Sequence, residues 1–391
     1  MAKITHENRS VGWMGLKRGH RARPLEWIVE KGIFLVSLTA ILMVFLIFFF
    51  VAREALPVFT GSMNSASQRE TIPLAEMNSV PPAKLARYLD VSEKELAAMT
   101  PEVKTELMKL KLEASAEAST DRDAAVNTTS WKYLIEPHQW TGYDHPVYIW
   151  QPVSQVPKYN IIPLIIGSLK ATLVALLFSV PLALGAAIYV SQLASPKIKE
   201  YLKPAIETLA GVPSVVLGFF ALIIMATVLQ SIFGYESRLN AFVAGIALGL
   251  AVIPVVFTIA EDALTSVPSS YVQASLAMGS SKWQTAWHIV LPAALPGIFA
   301  AIVLGFGRAI GETMVVLMAS GNASIMSWSL FDSTRTITAT IAAELAETVF
   351  GGHHYRMLFM LGALLFAVTF LANFAADVII HRLKNRLEGK A

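Results

Sequence analysis

Arg308 and Glu312 stand four residues apart in a long apolar run, a spacing that puts both on one face of a helix. A charge at the centre of a bilayer costs roughly 2.5–3.5 kcal/mol on insertion scales, so a solvated surface face does not account for them. Arg presents a planar fork of N–H donors that suits the oxygens of an oxyanion. Two readings stand: a buried ion pair that fixes helix packing, and the lining or gate of an anion path. Other residues with chemical capacity are scattered. Gly211-Val212-Pro213-Ser214 interrupts an apolar run; it reads either as a kink or as a half-helix start that turns free N–H groups towards an anion. Lys170 and Glu207 lie in apolar runs from which either side chain can snorkel, while Arg335, Glu344 and Glu347 fall in a connecting loop. His353 and His354 are adjacent rather than one turn apart, which does not suit a shared metal. No Ser-His-Asp set and no paired-carboxylate site is found, and no catalytic or metal-binding residue is assigned.

The elements that must hold these residues are set by composition. Of 391 residues only 15 % are charged and 54 % are hydrophobic, against about 25 % charged in a soluble domain. Mean hydropathy is +0.55. A disordered chain, a solvated repeat array and an ordinary cytosolic enzyme are excluded, and the lack of cysteine removes disulfide, thiolate-metal and thiol chemistry. Apolar runs at 33–52, 161–193, 205–233, 241–260, 293–320 and 357–380 are long enough to cross a ~30 Å hydrocarbon core as helices. From Pro292 to Arg308 is roughly 24 Å at 1.5 Å per residue, so the Arg–Glu pair lies at or beyond the midplane. The spacing predicts an all-α integral membrane protein of six spans. Lys3, Arg9, Lys17, Arg18, Arg21, Arg23 and Lys31 precede the first span, and His381-Arg382-Leu383-Lys384-Asn385-Arg386 comes after the last. Lys197, Lys199 and Lys203 occupy the loop between the second and third spans. The positive-inside rule therefore puts residues 1–32 and 381–391 in the cytoplasm, and the even number of spans agrees.

Residues 53–159 form an insert between the first two spans, expected outside the cell. Ser92 with Glu95 resembles a capping box, and Pro101 opens a helix, so the insert is read as short helices. An aromatic stretch at 131–150 then returns to the membrane. Its role reads as partner binding or as a solvated spacer. Gly245 and Gly249 form a small-xxx-small pair suited to close helix packing. The cytoplasmic loop 261–292 is amphipathic and broken at Gly279, which suggests two short helices lying along the membrane surface under a protein partner.

In that loop, Gln273-Ala274-Ser275, Gly279 and Ile289-Val290-Leu291-Pro292 resemble the EAA–G–I-x-L-P signature of bacterial ABC importer permeases. Gln273 stands where that signature has Glu, and Ser275 where it has its second Ala. The segments 160–169, 203–220, 305–322 and 334–344 are similar to the phosphate-specific transport permeases. Gly311-Glu312-Thr313-Met314 resembles the PstC-type subunit. The resemblance spans the N-terminal helix and most of 150–386, but not the insert.

The resemblance implies a MetI-like fold and a permease subunit of an ATP-driven phosphate importer in a bacterial inner membrane. Arg308, Glu312 and Thr313 would line the path or gate, with Ser214, Glu207 and Arg335 as secondary candidates. Gln273, Ala274, Ser275, Gly279, Leu291 and Pro292 would couple to a motor. The implied partners are a PstA-type second permease subunit, an ATPase dimer, an external phosphate-binding protein and a phosphate-signalling regulator. The chain has no G-x-x-x-x-G-K-[ST] loop, so ATP-Mg is expected on the ATPase partner and no cofactor on this chain. A permease for sulfate or molybdate, and a phosphate-sensing scaffold, are the rival readings. On the transport reading Glu312 can accept the hydroxyl proton of hydrogen phosphate, a proton that sulfate lacks.

Overall fold

The computed structural model describes residues 24–63, 80–89, 91–119 and 126–387, with Met77 and Asp123 as single described positions. The basic residues expected at 3–23, the last residues of the basic tail at 388–391, and parts of the insert between 64 and 125 lie outside the described residues. Six described helical stretches are long and apolar enough to cross a membrane: Val29–Phe59, Ile162–Leu193, Ser214–Phe233, Ala241–Thr265, Lys282–Ile310 and His353–Arg382. In all-helical spans every backbone donor finds an acceptor within its own segment, which lipid requires.

Helix α1 (Pro24–Phe59) runs past Arg53 and Glu54 instead of stopping at 52, because its last turns have a core of their own to enter. Ala55 and Val58 are buried against Leu134, Trp150, Leu164 and Met357. In the insert, α2 (Pro82–Leu89), α3 (Glu93–Ala98) and α4 (Pro101–Ser119) come in order. Ser92 accepts from the Glu95 amide at 3.2 Å while Glu95 accepts from the Ser92 amide at 2.9 Å, closing the reciprocal cap that its sequence promises. That bonding holds the Glu95 carboxyl below its ordinary pKa, the Ser92 backbone amide being the main cause. Leu85, Ala86, Leu89, Leu96 and Met108 make a small separate core for these helices. Helix α5 (Trp131–Ile135) and a two-stranded hairpin, β1 (Trp150–Gln151) with β2 (Lys158–Tyr159), lead back to the bundle.

Helix α6 (Ile162–Ile188) ends in a π-turn and is succeeded by α7 (Pro196–Glu207), a solvent-edge helix with no buried residue. A 3-10 turn over Thr208–Gly211 then leads to α8 (Ser214–Phe220), a second π-turn, and α9 (Ala226–Phe233). The third span is therefore helical from Ser214 rather than from 205, since Pro213 has no N–H to donate and Val212 is extended. Helix α10 (Ala241–Thr265) is the most buried span and lies at the centre of the core. Its closeness to α6 depends on glycine. A β-carbon at Gly245 would stand 2.5 Å from Val174 Cβ, and one at Gly249 would stand 2.8 Å from Phe178 Cδ1.

After α10 come α11 (Ser269–Ala277) and α12 (Lys282–Thr285), then a π-turn that passes directly into α13 (Leu291–Ile310). The fifth span begins at Lys282, not at 293, so the second half of the 261–292 loop is the foot of a span rather than a separate surface helix. A π-turn is the natural accommodation at Pro292, which cannot donate to the preceding turn. Helix α13 stops at Ile310, short of the expected 320, and the chain resumes as α14 (Met314–Ala319). Helix α15 (Ile337–Glu344) and α16 (His353–Leu387) complete the order.

Replacing Gly245 by Val should force α10 off α6. The expected loss is about 1–3 kcal/mol, the usual cost of overpacking, read as a lower melting temperature of the detergent-solubilised protein. An unchanged melting temperature would mean that the two helices do not approach this closely in solution.

Candidate functional site

The structure breaks the helix between the two charges that the sequence put on one helix face. Arg308 is in the last turn of α13, while Glu312 lies beyond Ile310, in the three-residue gap before α14. The pair survives the break: Arg308 Nη2 is 3.6 Å from Glu312 Oε2. Its two members have different surroundings. The Arg308 side chain is 52 % exposed and that of Glu312 only 7 %.

Glu312 is held by backbone and hydroxyl groups. Its Oε1 accepts from the amides of Thr313 at 3.2 Å and Met314 at 3.3 Å, the first donors of α14 that have no partner within the helix. Its own carbonyl accepts from the Thr338 hydroxyl at 2.8 Å. Thr313 thus serves through its amide, as the residue that opens α14. Depth is fixed by packing: a β-carbon on Gly305, one turn before Arg308, would meet Val256 and Val252 of α10 and would approach Leu176 of α6. These contacts fall midway along both spans, as the count from Pro292 anticipates. A half-exposed guanidinium therefore stands at mid-bundle beside a carboxylate whose second oxygen faces it across 3.6 Å. That arrangement can receive an oxyanion on the Arg fork and a hydroxyl proton on Glu312 Oε2.

The secondary candidates are not brought together. Ser214 is the half-buried first residue of α8, where Pro213 precedes it. Glu207 ends α7 and is exposed. Arg335 is paired with Glu344 at 2.6 Å, with its side chain 19 % exposed. Lys170, buried in α6, does not snorkel: its Nζ donates to the carbonyls of Ser327 and Ser329, both at 2.9 Å.

At the Gly279 turn the backbone takes φ +89°, which glycine alone adopts without strain. Gln273, Ala274 and Met278 are exposed. Ser275 is turned inward and shares a 2.9 Å hydrogen bond with the Thr285 hydroxyl, joining α11 to α12 across the turn. Ser281 and Gln284 cap α12 reciprocally. Ser275, Met278, Gly279, Gln284 and His288 line an open hollow, while Leu291 and Pro292 form the first turn of α13.

Sequence reasoning misses one ion pair at this end of the bundle. Glu261 is 4 % exposed and binds Lys203 Nζ at 2.7 Å, with Thr265 donating to its other oxygen at 3.1 Å. The Glu261 hydrogen bond raises the Lys203 pKa above its ordinary value. A carboxylate at the end of an apolar run is the available signal, but its partner lies 58 residues away.

The family described as binding-protein-dependent transport system inner membrane component matches residues 179–387. The chain is 34 % identical over 223 residues to the probable ABC transporter permease protein YqgH of Bacillus subtilis, covering 57 % of this chain and 72 % of the relative. Identity is 32 % over 256 residues to the phosphate transport system permease protein PstC of Mesorhizobium japonicum, covering 61 % and 77 %. For the PstC of Pasteurella multocida it is 31 % over 260 residues, covering 62 % and 80 %. Among solved structures, an inward-facing form of the MetNI methionine ABC transporter aligns at 18 % identity and TM-score 0.44, over 57 % of this chain and 94 % of that one.

Lys203→Met should leave Glu261 buried and unpaired, lowering stability by about 1–3 kcal/mol, between the values for exposed and buried pairs. Because the Lys203 pKa is raised, the pair contributes fully below the ordinary lysine value and is lost as pH climbs through the higher one. The melting difference between wild type and Lys203→Met should therefore shrink at strongly alkaline pH. A difference constant with pH would place its origin in packing.

Proposed function

The chain belongs to the family of binding-protein-dependent transport system inner membrane components, and we propose that it is the permease subunit of an ATP-driven phosphate importer, a reading supported by its likeness to proteins named phosphate transport system permease protein PstC. It is a multi-pass membrane protein, with six helices among the described residues long and apolar enough to cross. The family supports a bacterial inner membrane, and the charge pattern supports both termini cytoplasmic with residues 53–159 outside. A PstA-type subunit would complete the path, an ATPase dimer would bind ATP-Mg, and an external protein would deliver phosphate. A signalling regulator is a further partner on this reading. The chain itself catalyses no bond cleavage.

The observation that carries the reading is the half-exposed Arg308 guanidinium at mid-bundle beside a backbone-fixed Glu312. Hydrogen phosphate would set two oxygens on the Arg308 fork and donate its hydroxyl to Glu312 Oε2. Sulfate has no proton to give, so its oxygen would face a carboxylate oxygen and be disfavoured. On the cytoplasmic side, the exposed residues Gln273, Ala274 and Met278 around Gly279 would seat in the ATPase. Closure of that motor would displace 266–281 together with the two spans that flank it, α10 and the 282–310 stretch. Arg308 ends the second of these, so the displacement would alternate its access between the two sides.

The test is labelled-phosphate uptake into proteoliposomes that hold this chain, its partner permease, the ATPase and the binding protein, with and without ATP and against excess sulfate. Arg308→Ala should lower ATP-dependent uptake by at least about a hundredfold, as loss of a positioned donor to an anion does. Robust uptake by a folded Arg308→Ala complex would reduce Arg308 to a packing residue. Glu312→Gln should lower the phosphate-to-sulfate ratio by about tenfold, and an unchanged ratio would remove Glu312 from discrimination. An ATP-hydrolysing wild-type complex without uptake would redirect the reading to another oxyanion or to a sensor.

A further inference from the structure

One carboxylate gathers polar partners from three separate segments. Glu344, the last residue of α15, accepts from Arg335 Nη1 at 2.6 Å, in the loop before that helix. It accepts from Trp150 Nε1 at 3.0 Å, on strand β1 of the hairpin outside the spans. His354 Nε2, in the first turn of α16, lies 3.2 Å from its second oxygen. Trp150 is 1 % exposed and is wedged edge-on against Tyr159 at 5.4 Å. The Arg335 Nε is buried without a hydrogen bond, as is the Nδ1 of His354.

The other end of α15 is bound to the candidate path. Thr336 caps the helix by accepting from the Ala339 amide at 3.2 Å. Ser168 of α6 accepts from the Ile337 amide at 2.9 Å. One residue later, Thr338 donates to the Glu312 carbonyl. Helix α15 has eight residues, about 12 Å of rise, and both its ends are tied by hydrogen bonds. An element so short, tied at both ends, can carry a shift at one end to the other. On α6, Gly167 leaves space for this segment, since a β-carbon there would collide with the Arg335 carbonyl.

We propose that Glu344 is a positioning residue: through Trp150 it ties the hairpin outside the spans to α15, and through α15 it sets where Glu312 sits beside Arg308. This inference rests on the reading of Arg308 and Glu312 as the anion path. It assigns Arg335 to the tie rather than to contact with the cargo. A change at β1 is carried to the break through bonded atoms throughout: Trp150, Glu344, α15, Thr338, Glu312.

The experiment uses the full reconstituted complex with Trp150→Phe and Glu344→Gln. Phenylalanine keeps a ring against Tyr159 and removes only the indole N–H, so Trp150→Phe still tests the tie if Glu344→Gln fails to fold. Uptake is measured against the concentration of phosphate-loaded binding protein. Each variant should lower the maximal rate by about tenfold, the loss expected for one hydrogen bond to a charged group, with the half-saturating concentration unchanged. The double variant should be no worse than Glu344→Gln alone. Hydrogen exchange across residues 311–319 provides a reading independent of transport, and should be faster in both variants. Unchanged exchange there overturns the inference, whether or not the wild type transports. A raised half-saturating concentration with an unchanged maximal rate also overturns it, by making Trp150 a docking contact. A wild-type complex that hydrolyses ATP without taking up phosphate defeats the transport reading alone, while the exchange data still decide the tie.

Discussion

Lipid offers no hydrogen bonds, and every departure from helix inside this bundle is shaped by that fact. The gap after Ile310 frees the first amides of α14, and the Glu312 carboxylate takes two of them. The same gap leaves the Glu312 carbonyl without a helical donor, and the Thr338 hydroxyl supplies one. A carboxylate that would be costly to bury alone is thereby stabilised by groups that would be costly to leave bare. Arg308 does not have to neutralise Glu312 by itself, which is why it can stay 3.6 Å off and half exposed. The chemical capacity of the site arises from this division of labour.

The close packing of α10 on α6 gives the break a fixed frame. Gly245 and Gly249 bring the two helices together, and Gly305 brings α13 in against α10 in the same way. Small residues matter here because lipid gives helices no hydrophobic reason to associate, so contact area has to come from close backbone approach. Around this frame two ion pairs hold connections of the bundle, one with a buried carboxylate and one with a half-buried one. Lys203 and Glu261 join α7 to the end of α10, beside the segment that leads to the Gly279 turn. Arg335 and Glu344 bracket α15 near the hairpin. Each pair constrains a connection between spans rather than the interior of a span.

The π-turns obey the same constraint. They fall at Tyr189–Leu193, Ala221–Met225 and Ala286–Val290, and the last leads into Leu291-Pro292. One wider turn lets the helix continue past a residue with no donor, so the Gly279 element is joined to α13 without a loop. Motion of that element has a continuous helix to act on, from Lys282 to the residues around Arg308.

Much of this protein is legible in its sequence, because a membrane span must be announced by an uninterrupted apolar run. The number of spans, the Ser92–Glu95 cap, the glycine pair, the turn at Gly279 and the pairing of Arg308 with Glu312 are all readable from spacing and residue type. Local chemistry is enough for these, since each partner is within a few residues or is lipid itself. The helix ends depart from the apolar runs where hydropathy and hydrogen bonding part company. Helix α1 continues to Phe59 because it has a core to enter, and α13 stops at Ile310 because Glu312 can cap the first turn of α14. The ties of Glu261 to Lys203, of Lys170 to the Ser327 and Ser329 carbonyls, and of Glu344 to Trp150 and Arg335 are not legible in this way. A carboxylate or an amine in the sequence shows that a partner is required, and only the folding of distant segments against one another decides which partner it finds.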